Sequence, residues 1–271
     1  MKGLLIIFSA LLFLPNLFDL DINPQLPYNG RESFDPSLSR INSPEKFQQA
    51  VDSIALARHI PQHSFEYVET AESVVIKKFY HGFSHFTLQQ NWIAAVCGRF
   101  VEEGIACKVR PEDILQQSHA ACSQQAIVLM DLLRKKNIAY RKIGLPHHYA
   151  LEVLVDNNWY FFDTNMEPVI PKEKRLATSW MHQCDSLKKY YDAKIHPNLD
   201  YQFGKGVIAT AGVINEIPAQ HAALFQSATA VLSKIIWCLP LLPLFFRRRF
   251  SFRFSTSFIF KRKAAPVSLA V

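Results

Sequence analysis

The sequence predicts an α+β fold: helices packed on an antiparallel sheet, with hydrophobic segments at the ends of the chain. Three observations carry this. From Ser118 to Asn137 apolar residues recur nearly all round a helical period. From His148 to Asp163 two short runs read as neighbouring strands. The segments 1–18 and 222–246 are apolar over almost their whole length.

Taken in order, residues 1–18 place Lys2 before the run LLIIFSALLFLP, the pattern of a secretory signal or a short signal anchor. No small-x-small cleavage site follows, which favours an uncleaved anchor. Residues 19–44 hold Pro24, Pro27, Pro36 and Pro44 among Asn, Ser and Gly, and read as a linker or irregular surface chain. Residues 45–216 form the folded domain. Ser43 caps its first helix, with Pro44 at the first helical position and Phe47, Val51, Ile54 and Ala55 as the apolar stripe. Further helices are expected over Ala71–Tyr80 and Leu88–Glu103. In the second, Trp92, Ala95, Val96 and Phe100 face inward and Gly104 supplies the stop. Met181–Ala193 is one more helix candidate.

The central helix opens at Cys122. Ala126, Ile127, Leu129, Met130, Leu132 and Leu133 make it apolar on most sides, so it should be buried. A thiol at a helix N-terminus sits at the positive end of the macrodipole, which favours thiolate. Beyond it, His148–Val155 and Trp159–Asp163 flank Asp156-Asn157-Asn158. Asn157-Asn158 suits a two-residue turn with positive φ. Asp163 then lies opposite Glu152, on the same sheet face as His148 but four positions away, roughly 13 Å along a flat strand. A bulge, strong twist or different turn has to close that gap. A three-residue loop would favour His147 by parity, so both histidines stay open on this ground.

Cys122 opening a helix, His148-Tyr-Ala-Leu-Glu152 in a strand, and Trp159-Tyr-Phe-Phe-Asp163-Thr164 in the next together resemble the core of the transglutaminase-like superfamily. The resemblance is close over about fifty residues and looser over 45–170. It implies a papain-like fold and a Cys-His-Asp triad. In the family pattern the His stands four before a Glu and the Asp four after a Trp, which selects His148. The implied roles are Cys122 as nucleophile, His148 as general base and acid, and Asp163 as its orienting carboxylate. The Cys122 backbone N–H is a natural oxyanion donor. Gln116, Gln117, Gln89 and Asn91 are guesses for a second donor.

Composition narrows the rest. The formal charge of +7 is misleading, because eight basic and no acidic residues follow Ile217. That leaves 22 basic against 23 acidic residues in 1–216, so nucleic-acid binding by the domain is not expected. No Cys pair has zinc-ribbon spacing and no HExxH occurs, so no metal or other cofactor is expected. A GxSxG nucleophile elbow is also missing. Of the five cysteines, Cys97 and Cys107 could pair if the domain lies outside the cytoplasm, or stay reduced.

Residues 222–246 are long enough for a transmembrane helix, with Lys234 inside and Pro240 and Pro243 as kinks. Arg247-Arg248-Arg249 follows at once, and Lys2 precedes the N-terminal run. Positive charge marks the cytoplasmic end of a span, so both ends place the domain on the extracytoplasmic side and 247–271 as a basic cytoplasmic tail. The sequence therefore predicts thiol-dependent acyl chemistry on a peptide, protein or other amide-containing substrate, by hydrolysis or transfer, in a domain attached to membrane lipid. The alternative is a binding or scaffold domain that keeps the fold without the activity. An arylamine acetyltransferase-like reading shares the triad types, but such proteins are ordinarily soluble.

Overall fold

A computed structural model describes residues 2–23, 26–196 and 198–244. The expected basic tail, 247–271, and the last residues of the expected span lie outside them. The chain is α+β. Ten helices accompany one four-stranded antiparallel sheet of order β3-β2-β1-β4, built from β1 (Tyr140–Leu145), β2 (His148–Val155), β3 (Asn158–Phe162) and β4 (Thr210–Ala211), these counts being of the described residues.

Three helices cover one face of the sheet. Helix α2 (Pro44–Ala57) starts as its sequence demands, with the Ser43 side chain accepting from the Lys46 N–H and Pro44 at the first position. It buries Phe47, Val51 and Ala55. Helix α3 (Phe65–Lys78) begins six residues before the expected Ala71, because Ser64 caps it by accepting from the Tyr67 N–H. Helix α6 (Cys122–Lys135) lies under the sheet and is buried along most of its length, as its all-round apolar pattern requires. Leu129 and Leu133 of α6 join Leu151, Val153 and Val155 of β2 in one core. Each such side chain contributes about 1.5–3 kcal/mol by leaving water.

Short elements cover the other face. Ile143, Ala150 and Phe161 meet Trp180, Leu187, Tyr191, Leu199 and Phe203 there. Trp180 closes α7 (Ala177–Trp180), Leu187 belongs to α8 (Asp185–Lys188), and Leu199 and Phe203 belong to α9 (Leu199–Phe203). Of the single helix expected over Met181–Ala193, only the short α8 forms, with 181–184 and 189–193 outside any helix. Nor is 19–44 a free linker. It contains a 3-10 turn, Pro36–Arg40, and Asp35 N–H donates to the Lys77 carbonyl at 2.7 Å.

Helix α4 (Leu88–Phe100) is fixed at its start by a capping box between Thr87 and Gln90. It ends at Val101, before Gly104, and Phe100 is 79% exposed, so the expected inward stripe stops at Val96. Past α5 (Pro111–Ile114), the remaining helices are terminal. Helix α1 (Lys2–Phe13) runs into a 3-10 turn, Leu14–Leu17. Helix α10 (Gln220–Ile235) continues as 3-10 helix Ile236–Leu241, and Gln220–Leu244 is long and apolar enough to cross a membrane.

Candidate active site

Three local features bring Cys122, His148 and Asp163 together. The first is the start of α6. Gln124, buried two residues after Cys122, accepts from the Ser84 N–H at 2.9 Å and the Ala121 N–H at 3.1 Å. It donates to the Ser84 and Lys108 carbonyls at 2.9 and 2.7 Å. One side chain therefore ties the first turn of the helix to two other chain segments. Cys122 itself is half-buried, open enough to meet a substrate.

The second feature is the β1–β2 turn. Leu145 pairs with His148, so Pro146 and His147 form a two-residue loop, with His147 at φ 51°. Proline followed by a positive φ is the residue pattern of a type II turn. His147 is thereby spent on the turn, exposed, with its ring 5.3 Å from that of Tyr201. His148 is the first residue of β2 and is buried.

The third is the β2–β3 turn. Val155 pairs with Asn158, so the loop is Asp156-Asn157, at φ 48° and 60°, not Asn157-Asn158. This one-residue shift sets Asp163 beside Ala150, on the same face as His148 and two positions away instead of four. The required reach falls to about 7 Å along the strand. His148 Nε2 and Asp163 Oδ2 are 2.7 Å apart. The other ring nitrogen, Nδ1, is left to face Cys122, with which His148 also hydrogen-bonds.

Burial alone would discharge both partners of that pair. It opposes the charged imidazole, but the Asp163 carboxylate and the Cys122 thiol outweigh it and raise His148 to about 10. Burial likewise works to raise Asp163, yet the His148 charge and hydrogen bond win and hold it below the ordinary carboxylate range. Asp163 is therefore the counter-ion that favours the protonated form of the His148 ring.

Asp163 is held from every side. Tyr191 Oη donates to its Oδ2 at 2.9 Å, and the Asn165 and Met166 N–H groups donate to Oδ1 at 3.1 and 3.2 Å. Its own N–H donates to Glu72 Oε1 at 2.8 Å. Glu72 in turn pairs with Arg175, whose Nη1 lies 3.2 and 3.0 Å from the two carboxylate oxygens. Burial pushes Glu72 up to about 7 despite that guanidinium. Gln124, Glu72, Arg175 and Tyr191 carried no motif in the sequence. A buried Glu in the apolar helix α3 was the one signal available.

Cys122 and His148 open into a cleft of about 560 Å³. His81, Asn165, Met166, His196 and Gln202 line it, and Asn29 and Glu32 of the supposed linker form one wall. Burial lowers His81 and His196 below the ordinary imidazole value. His81 Nδ1 lies 3.1 Å from Asn165 Oδ1. None of the four guesses for a second oxyanion donor is among the residues that line this cleft; Gln116 Nε2 donates to the Glu112 carbonyl and Asn91 bonds α10. All five cysteines are free thiols, so Cys97 and Cys107 are not paired. Among the described residues no group of three or more His, Cys, Asp or Glu could hold a metal ion.

No protein-family model, curated protein or solved structure matches this chain.

Proposed function

We propose that the chain performs thiol-dependent acyl chemistry on an amide, in the manner implied by its resemblance to the transglutaminase-like superfamily. The observation that carries the reading is the buried 2.7 Å contact between His148 and Asp163 beside a half-buried thiol at a helix start. Cys122 Sγ, deprotonated by His148, attacks the carbonyl carbon of the substrate. The C–N bond then breaks as His148 Nδ1 returns the proton to the departing nitrogen. A water, deprotonated by the same nitrogen, cleaves the thioester and releases the acid; an amine in its place gives transfer. The Cys122 N–H, in the first turn of α6 where helices leave donors unused, faces the developing oxyanion. Asp163 holds the ring in the orientation that serves Sγ.

The chain is further proposed to be membrane-attached, with the domain on the extracytoplasmic side. Support comes from the apolar stretch Gln220–Leu244, from Arg247-Arg248-Arg249 directly after it, and from Lys2 before the N-terminal run. Hydrolysis of a peptide or amide is preferred to transfer, since a half-exposed thiol outside a cell meets abundant water.

The test is alkylation with an iodoacetamide reagent over a pH series, with mass spectrometry to identify the cysteine. Cys122 is expected to react first and to remain reactive well below the free-thiol pKa of about 8.5. If it reacts last, or with the pH profile of a free thiol, the protein is a binding domain on an enzyme's fold.

A further inference from the structure

Helix α10 is built inside out. Its buried residues are Gln226, Thr229 and Ser233, three and four apart on one face, while Leu224 is 70% and Val231 63% exposed. A helix packed on a domain in water shows the reverse. The polar face is bonded to α4 and its neighbours. Asn91 Nδ2 donates to Thr229 Oγ1 at 2.9 Å and to the Gln226 carbonyl at 3.1 Å. Gln226 Nε2 donates to the Cys107 carbonyl at 2.6 Å, and Trp92 Nε1 to the Ser233 carbonyl at 3.1 Å.

Helix α1 repeats the arrangement. Ser9 is its buried residue, donating through Oγ to the Trp237 carbonyl, while Leu4, Ile6, Ile7, Phe8 and Leu11 are each more than half exposed. The contacts between the two ends run antiparallel. Ser9 and Phe13 meet Trp237, the rings of Phe13 and Trp237 lying edge-on at 5.4 Å. Asn16 Nδ2 donates to the Ser233 carbonyl at 3.0 Å, and Lys234 Nζ to Asn16 Oδ1 at 3.0 Å. Lys2 and Leu244 thus belong to the same end of the pair, and in sequence Arg247 follows Leu244 by three residues.

We propose that Lys2–Leu17 and the chain from Ser233 onward form one antiparallel two-helix unit embedded in a phospholipid bilayer, with the N-terminal segment retained. The inference rests on the membrane attachment proposed above, and replaces a lone span by a pair. Lipid is the occupant for three reasons. Polar atoms turn inward to partners and apolar side chains outward, as a hydrocarbon surround demands. Charge brackets the apolar length, with Lys234 at one end and Lys2 and Arg247 to Arg249 at the other. Finally, the sixteen residues Lys2–Leu17 span about 24 Å as helix, and a Lys reaching outward makes up most of the difference from a core of about 30 Å.

The test uses the full chain in phosphatidylcholine–phosphatidylglycerol vesicles carrying a photoactivatable phosphatidylcholine. Expected are lipid adducts on Lys2–Leu17 and on the chain from Ser233 onward, and a mass-identified peptide that still contains Lys2. Oxidation of a Phe13→Cys/Trp237→Cys variant, in a Cys238→Ser background, should link 13 to 237 within one chain. An N-terminus beyond residue 18, the absence of that link, or links between two chains in place of lipid adducts would overturn the pairing. The lipid adducts and the N-terminal peptide are read on the unsubstituted chain, so a variant that misfolds does not shelter the proposal. Cys122 alkylation is read in the same samples. A reactive Cys122 without the link refutes the anchor alone, and the link with an inert Cys122 refutes the chemistry alone.

Discussion

His148 Nε2 meets Asp163 Oδ2 at 2.7 Å although the residues sit at the outer ends of two antiparallel strands, two positions out of register. The relationship depends on Asp156 and Asn157, both at positive φ, which set where β3 pairs on β2. It also fixes which imidazole nitrogen serves the thiol, because Nε2 is occupied by the carboxylate.

Asp163→Asn tests that assignment. The amide can still accept from the Asn165 and Met166 N–H groups through Oδ1, so the loop after β3 should hold. Its NH₂ then faces His148 Nε2 and donates to it, which moves the ring proton to Nδ1 and removes the base that faces Sγ. Alkylation of Cys122 at pH 6 should slow by about tenfold or more, with the fold left standing. Equal labelling rates in wild type and variant would show that the carboxylate does not govern the thiol.

Gln124→Leu should act on the same thiol from the other side. The side chain has similar volume but abandons two N–H donors and two carbonyls, all buried, that Gln124 now satisfies. At about 1–3 kcal/mol for a buried group left unmade, and with water able to reach some of them, a loss of about 3 kcal/mol is expected. Denaturant unfolding measures it. A change below 1 kcal/mol would mean that the start of α6 is held by other contacts.

How much of this was legible follows from the range of each signal. Local signals read well. Ser43-Pro44 starts α2, and the apolar pattern after Cys122 gives α6 its limits to within a residue or two. The triad residues were named through the family resemblance, whose spacing selects His148 where strand parity leaves His147 open. The turn between β2 and β3 was placed one residue late, because Asp156-Asn157 and Asn157-Asn158 have almost the same preference for positive φ; pairing of the flanking strands decides between them. The supports of Asp163 were invisible for another reason. Glu72 and Arg175 are 103 residues apart and meet only after α3 packs behind β3. Prolines and polar residues mark 19–44 as irregular chain, and say nothing of whether it packs on a cleft, as Asn29 and Glu32 do.

Topology can be checked with the chain as it stands. A reporter active only outside the cytoplasm should be active when fused after Pro218 and silent when fused after Val271. The basis is Lys2 at one apolar segment and Arg247 to Arg249 after the other. The opposite pattern would put the cleft in the cytoplasm.

The pH dependence of stability follows from three shifts with known signs. His148 is raised from 6.5 to about 10, so its contribution is complete below about pH 6.5 and disappears as pH rises through about 10. Asp163 is depressed below 3.8, so its contribution is present above that value and is lost as pH falls through the lower, folded-state value. Glu72 is raised from 4.5 to about 7, so its contribution is complete below 4.5 and gone above about 7. Together they predict a Tm that is highest near pH 4.5 and declines in two stages, one over 4.5–7 and one over 6.5–10. Glu72→Gln removes the titrating group of the first stage and should flatten it. It should also lower Tm throughout, because Arg175 stays buried without its carboxylate, at a cost of about 3 kcal/mol. Asp163→Asn takes away the charge that keeps His148 protonated and should flatten the second stage. Scanning calorimetry of the three proteins across pH 4 to 10 separates the stages. A second stage that survives in Asp163→Asn would assign it to a group other than His148, and the buried ion pair would lose its place in the account of the site.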